Sequence, residues 1–432
     1  MAENRYAGIS PFTGEQKNVF FGRTSDIEKF YQQLKIEQQT LLYSKSGLGK
    51  SSLINAGIIP KLENEGIYTP IRIRFNAFTG TNDTIPVQKV VNEITSKIEL
   101  SANSLIDEVG IAENDKNLWF LFKKMQLLYP EKRLILIFDQ FEELFSYSEP
   151  IIEDFKNQLS DILKADVPEN FVEYFAKARS KNKEKFRGKQ MRLLNENVEV
   201  KTIYIIRSDK LSLLNKLRNR IANIQKSYYE LLPLTAEQAH EAIVKPAEMQ
   251  GEFKTLNFSY KPESLTKIIN FLTNKGEQAI ETTQLQIICQ RIEQNIFEHH
   301  RQKENYEVGE NDLPDFKDIF LSFYTDAINS LDIKEREKAA KLIENESIRN
   351  KQRISLDEYI CSEYISVEAL KLLVDNRLLR SEQNSFGRYS YELSHDTLVE
   401  PISEAAEKRK RKEEKQRLEK ERELERQIAR EK

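Results

Sequence analysis

The sequence predicts a parallel α/β sheet wound with crossover helices, followed by a helical region, a compact winged-helix segment and a charged helical tail. Three observations predict it. Short apolar runs at 40–43, 71–75, 134–138 and 201–206 have the length and aliphatic content of strands buried on both faces. The stretches between them are long enough for crossover helices, which parallel pairing requires. Beyond about residue 233 the strand-like runs stop and helical periodicity takes over.

In chain order, 27–36 reads as a helix, 40–43 as a strand, and a glycine-bearing loop at 44–49 leads into a helix opening at Lys50. In the second half the candidate helices are 236–247, 262–274, 282–298 and 316–330, with Pro246 placed to help stop the first. Residues 334–402 carry helix-like stretches at 335–343 and 367–376. A strand at 378–381, a turn-rich 384–387 and a strand at 389–393 follow, the outline of a winged helix. The terminal stretch is almost entirely charged, with Leu418, Leu424 and Ile428 too sparse for a heptad seam. Spacings such as Glu413 with Arg417 suit a solvated single helix. The domains expected are 1–14, 15–232 with a basic insertion at about 166–200, 233–332, 333–402 and 403–432.

The chain has 432 residues, enough for several domains; 39% are hydrophobic and 31% charged, and the net charge is −3. That balance excludes a molecule that binds nucleic acid through its overall charge, so any basic site must be local. Cys289 and Cys361 have no metal-ligand spacing around them and imply no disulfide framework. The N-terminus lacks a basic start followed by an apolar stretch, and no aliphatic run approaches a membrane span. A cytoplasmic protein is expected.

The strongest motif is SKSGLGKS at 44–51. A loop between strand and helix, with Gly47 and Gly49, lets backbone N–H groups turn around phosphate oxygens. Ser46, Gly47, Leu48, Gly49, Lys50, Ser51 and Ser52 form the candidate cradle. Lys50 would reach the β- and γ-phosphates and Ser51 would ligate Mg2+. Ser44 stands where such loops usually carry their first glycine. The second motif is the aliphatic strand RLILIFDQFEEL, which ends in Asp139, a candidate to hold Mg2+ through water. Hydrolysis needs a carboxylate to orient or activate water. Gln140, directly after Asp139, cannot take a proton, so Glu142 and Glu143 are the candidates, with Glu143 slightly preferred. If neither reaches the water, the protein would bind ATP tightly and hydrolyse it slowly. Arg207 ends the run KTIYIIR at a strand's C-terminal edge, where such sheets bind their ligands. It would sense a γ-phosphate, or else pair with Asp209.

Taken together, these residues resemble the STAND class of signalling ATPases, and within it the bacterial novel STAND NTPases, over about residues 6–402. YAGISPF and VFFGR resemble the family's N-terminal motif, which implies that Phe21, Gly22 and Arg23 lie near adenine and phosphates. LLYSKSGLGKSSLINAGIIPKL, LILIFDQFEELF, IIRSD and YYELLPLTAEQAHEAIVKPA resemble its Walker A, Walker B, sensor and lid segments. YELSHDTL is similar to the winged-helix motif whose histidine, here His395, approaches the β-phosphate at rest. The segment ETTQLQIICQ, around Thr282, lacks the proline usual in the lid motif. The resemblance implies ATP rather than GTP, no NKxD-like guanine reader being present. It also implies a closed ADP-bound monomer, homo-oligomerisation on ATP exchange and a role in bacterial defence or stress signalling. Such proteins usually carry an effector and a sensor in one chain; neither is seen here. Separate protein partners, met through the tail or winged helix, or a longer product, are therefore expected.

Two basic stretches carry alternative readings. Residues 176–192 hold eight Lys or Arg and a single acid, Glu184. A solvated, mobile insertion is favoured over a nucleic-acid site with Phe186 stacking on bases. KRKRK at 408–412 is read as a helix start pairing with later glutamates rather than a contact to lipid or nucleic acid. The rival functions are a nucleic-acid-binding ATPase resembling origin-binding relatives, which also join a P-loop domain to a winged helix, and a scaffold that holds nucleotide without turnover.

Overall fold

The computed structural model describes residues 4–75, 84–273, 276, 279–300, 303–350, 352–376, 378–383, 389–394 and 398–431. The four aliphatic runs are strands, β1 (Gln39–Ser44), β2 (Tyr68–Arg74), β3 (Arg133–Asp139) and β4 (Val200–Arg207), joined by a short β5 (Tyr228–Glu230). They pair in parallel in the order β2-β3-β4-β1-β5. Both faces are buried because side chains alternate along each strand. Leu134, Leu136 and Phe138 of β3 enter one core, and Ile135 and Ile137 enter the other.

One face is covered by α1 (Thr24–Ile36) and by the helix after the glycine loop, which runs as α2 (Lys50–Ser52), a π-helical stretch (Leu53–Ile58) and α3 (Ile59–Asn64). The other is covered by α4 (Pro86–Lys97), α5 (Leu118–Leu128), α6 (Glu149–Leu163), α7 (Glu169–Lys181) and α8 (Lys189–Asn195). An aromatic cluster underlies the end of β3: the Phe138 ring lies 5.8 Å from Phe75, 5.7 Å from Phe155 and 5.7 Å from Tyr204. The sheet and its helices belong to a compact unit built from Ser10–Pro246 with Ala279–Thr282. In α9 (Ala236–Glu248), Pro246 does not end the helix but sits inside its last turn. There the missing N–H removes a single bond near a frayed end.

The basic stretch at 176–192 is solvent-exposed along most of its length, but it belongs to a helical segment that is anchored to the core. Phe171, Phe175 and Ala178 recur at helical spacing on α7 and are buried, as are Phe186, Leu194 and Val198. Phe171 and Phe175 pack on Trp119 with ring centroids 4.5 and 6.2 Å apart. The basic residues occupy the outer face of this helix pair. Phe186 is 4% exposed and cannot stack on a base.

The second unit is built from Met1–Ile9, Ala247–Gln278 and Thr283–Lys432. It contains β6 (Phe258–Tyr260), α10 (Pro262–Leu272), α11 (Thr282–His299), β7 (Tyr306–Val308), α12 (Phe316–Asn329) and α13 (Ile333–Lys341). A π-helical stretch (Leu342–Glu346), β8 (Ile348–Arg349), β9 (Gln352–Arg353), β10 (Leu356–Asp357), α14 (Glu358–Ser362) and α15 (Val367–Asp375) follow. The chain closes with β11 (Leu379–Gln383), β12 (Tyr389–Leu393) and α16 (Val399–Glu431). Strands β10, β12 and β11 form an antiparallel sheet; the turn expected at 384–387 lies outside the described residues. The N-terminus is anchored in this unit. The Arg5 backbone N–H donates to Glu293 at 3.0 Å, and the Arg5 guanidinium donates to the Thr255 carbonyl at 3.0 Å.

The charged tail is a helix, but it begins before the basic run. Val399, Ile402 and Ala406 are buried, and Arg409 pairs at 2.7 Å with Glu344 of the π-helical stretch. An apolar first turn docks this end of the helix, which puts Glu344 within its reach. Among the described residues no helix is long and apolar enough to cross a membrane.

Because Phe175 is core, Phe175→Ala should lose ~3–5 kcal/mol of unfolding free energy in a denaturant titration. Lys181→Ala, on the exposed face, should change it by less than about 0.5 kcal/mol.

Candidate functional site

Parallel strands end together, so the last residues of β1, β3 and β4, namely Ser44, Asp139 and Arg207, lie along one edge of the sheet. The loop leaving β1 turns back over this edge. Gly47 and Gly49 hold φ of +81° and +91°, a backbone that a side chain at either position would strain. The loop therefore delivers Lys50 and Ser51 to the start of a helix.

The Lys50 ammonium folds back on its own loop, donating to the Ser44 carbonyl (3.0 Å), the Ser44 hydroxyl (3.1 Å) and the Lys45 carbonyl (3.1 Å). Ser44, in the place of the usual glycine, thus supplies two acceptors for Lys50. Burial pulls the Lys50 ammonium down to about 8; Arg207 adds to the shift, while Glu142, Asp139 and Asp209 oppose it.

Ser51 donates towards both carboxylate oxygens of Asp139 at 3.3 and 3.4 Å. Asp139 is 3% exposed, accepts the Gln140 backbone N–H at 3.0 Å and forms an ion pair with Arg72 of β2. Two residues further along β2, Arg74 donates to the Gln140 side chain at 2.8 Å. Gln140 itself adopts φ +54° and ψ +49°, a left-handed turn that throws the chain into a 3₁₀ helix at Phe141–Ser146. Two hard oxygen donors side by side, the Ser51 hydroxyl and the Asp139 carboxylate, fit a hard divalent ion that fills its remaining positions with phosphate and water.

Glu142, on that 3₁₀ helix, has its Oε2 buried with no hydrogen-bond partner. Burial raises its pKa above the usual carboxylate range; its own backbone N–H and the charges of Lys50 and Arg207 hold it back, and Asp139 pushes the same way as burial. Glu143 stands one position on, half-buried, in the same 3₁₀ helix. Arg207 makes the bidentate pair with Asp209 that its spacing allowed, at 3.1 and 2.9 Å, and also acts on Lys50 and Glu142 through its charge.

Arg23 is 4% exposed and braces the loop: its guanidinium donates to the Leu48 carbonyl at 3.0 Å, to the Leu232 carbonyl at 2.8 Å and to Asp26 at 3.0 Å. Gly22 holds φ +83° against α9, where an added Cβ would lie 2.4 Å from the Gln238 carbonyl. Phe21 carries the Lys245 ammonium 5.8 Å from its ring centre. Ser52 is buried and its hydroxyl accepts the Phe12 N–H at 3.1 Å, whereas Ser46 is exposed on the loop. His395 lies outside the described residues.

Sequence reasoning missed four contributors. Arg72 and Arg74 sit at alternate positions of a short strand beside β3, and arginines interrupting an apolar run, IRIRF, were the available signal. Thr282, noted only for a missing proline, donates its hydroxyl to the Gly47 carbonyl at 2.5 Å. Phe12, whose N–H reaches Ser52, lies in the YAGISPF motif, which pointed to the segment but not to this residue.

No curated protein matches this chain in sequence. Among solved structures, the Walker-type ATPase of Pyrococcus abyssi is 13% identical with a TM-score of 0.42, the match covering 91% of this chain and 98% of that one. The Aeropyrum pernix ORC2 protein in its ADP form is 13% identical with a TM-score of 0.43, covering 90% and 95%. Cdc6p from Pyrobaculum aerophilum is 12% identical with a TM-score of 0.42, covering 89% and 94%. The family described as Novel STAND NTPase 1 matches residues 6–258, more than half of the chain and all five parallel strands, and the chain belongs to that family.

Proposed function

We propose that this chain is an ATP-binding and ATP-hydrolysing signalling switch, holding ADP at rest and assembling into homo-oligomers on exchange for ATP. One observation carries the reading: Lys50, Ser51, Asp139 and Glu142 converge where the parallel strands end. Lys50 takes the β- and γ-phosphates in exchange for its loop carbonyls. Ser46 to Ser52 wrap the phosphates through their backbone, with Phe21, Gly22 and Arg23 alongside. Ser51 and Asp139 would hold Mg2+, which would supply positive charge to neutralise the phosphates. Arg207 adds a fixed positive charge for the γ-phosphate.

We assign the attacking water to Glu142 rather than Glu143. A carboxylate with a raised pKa and an unused buried oxygen is suited to take a proton or orient water.

Residues 233–332 form the lid and 333–402 the winged helix in this reading. The order α13, β10, α14, α15, β11, β12, with the last two strands antiparallel, supports the latter. His395 would contact the nucleotide in one state only, the differential contact a switch requires. A cytoplasmic role in bacterial defence or stress signalling follows from the family resemblance, with protein partners met through the tail or winged helix. The nucleic-acid reading loses its stacking residue, since Phe186 is core.

Denaturing the purified protein and identifying released nucleotide tests the proposal: ADP at about one per chain from wild type and none from Lys50→Ala is expected. A wild type that neither carries nucleotide nor binds added ATP at micromolar concentration would overturn it. Glu142→Gln should retain nucleotide and lose ~10²–10⁴-fold in hydrolysis rate, while Glu143→Gln stays within about threefold of wild type; the reverse order would return the role to Glu143.

A pH dependence also follows. Phosphate raises the Lys50 pKa from about 8, so binding takes up a proton where the free site has lost it. Calorimetry in buffers of different ionisation heat should show uptake growing from about pH 7 to about pH 9, with affinity falling over the same range. Uptake that does not change with pH would contradict the Lys50 assignment.

A further inference from the structure

We infer that Arg72 is a built-in substitute for the divalent ion at Asp139, neutralising this carboxylate when no metal is bound and yielding the position when metal enters. The inference deepens the reading above and rests on it for the identity of the metal site.

Asp139 is almost wholly removed from water and cannot remain charged there without partners. Ser51 and the Gln140 N–H are neutral donors and Lys50 acts on Asp139 only through its charge, so the charge in direct contact comes from Arg72. The guanidinium comes from β2, the strand at one end of the sheet, on a side chain that is 27% exposed. Its buried Nε makes no hydrogen bond, so the planar fork is only half used and the pair is not a locked bidentate clamp. Two residues on, Arg74 holds the Gln140 side chain, so one strand grips both residues at the turn after β3.

A divalent ion bound between Ser51 and Asp139 would meet this fixed positive charge at close range. An arginine cannot shed its proton to relieve the repulsion, so it has to move. Two consequences follow. Metal-free nucleotide keeps a cation near its phosphates and still binds. Metal entry is opposed, which separates nucleotide capture from metal loading.

The test compares the affinity for N-methylanthraniloyl-ADP in saturating Mg2+ with that in EDTA, expressed as the ratio of the first to the second, in wild type, R72M and R72K. Wild type should show a small ratio. R72M, which leaves Asp139 bare, should raise it by ~tenfold or more, mainly by weakening metal-free binding. R72K keeps the charge on a more hydrated single-point donor and should fall between. A ratio unchanged in R72M, with a melting transition showing that the variant is folded, would overturn the proposal. Should R72M fail to fold, R72K decides alone: a ratio above wild type supports the assignment, and one at or below it overturns it.

If wild type binds no nucleotide in either condition, the ATPase reading fails, and Mn2+ alone then decides the role of Arg72. Electron paramagnetic resonance of Mn2+ titrated with nucleotide-free protein should show R72M binding ~tenfold more tightly than wild type; equal affinities would overturn the assignment.

Discussion

The Asp139 carboxylate sits at the C-terminal end of a strand buried on both faces, with only 3% of its side chain exposed. A charge in that position is costly unless it is paired and hydrogen-bonded. Its partners come from separate parts of the chain: the hydroxyl of Ser51 after β1, the guanidinium of Arg72 on β2, and the backbone N–H of Gln140. The strand order makes this arrangement available, because β2 lies directly beside β3 while the loop after β1 leans over the same edge. The rings of Phe75, Phe138, Phe155 and Tyr204 fill the space below and keep water from reaching the carboxylate from the core side.

The same low-dielectric setting acts on its neighbours. Burial lowers the pKa of Lys50 and raises that of Glu142, moving each towards neutrality, while the charge of one partly stabilises that of the other. Arg207 is tied to Asp209, which keeps it at the rim of the group. The site is thus a small network of opposed charges rather than a set of independent residues, and an anionic ligand changes the balance of all of them at once.

Much of this was legible in the chain. Aliphatic runs identified four strands because a strand buried on both faces has no polar alternation to hide it. SKSGLGKS identified the loop because only glycine adopts its backbone freely, and RLILIFD placed an acid at the C-terminal end of its strand. The reading failed where composition concealed packing. The basic residues of α7 and α8 are exposed, yet Phe171, Phe175, Ala178 and Phe186 anchor the stretch to the core, which its composition does not announce. Within the basic run at 408–412, nothing local points to the pair that Arg409 makes with Glu344.

By itself the sequence determined the parallel sheet, the glycine loop, and the positions of Lys50, Ser51 and Asp139 at the strand ends, since each depends on backbone preferences and side-chain spacing within a few residues. Only the tertiary structure decided which groups share the site. Arg72 reaches Asp139 from a different strand, Arg23 braces Leu48, Thr282 meets Gly47 from a distant stretch of chain, and Glu142 rather than Glu143 is left with an unused buried oxygen. Those contacts join residues far apart in the chain, and they exist because buried charges and carbonyls must find partners once the sheet has closed around them.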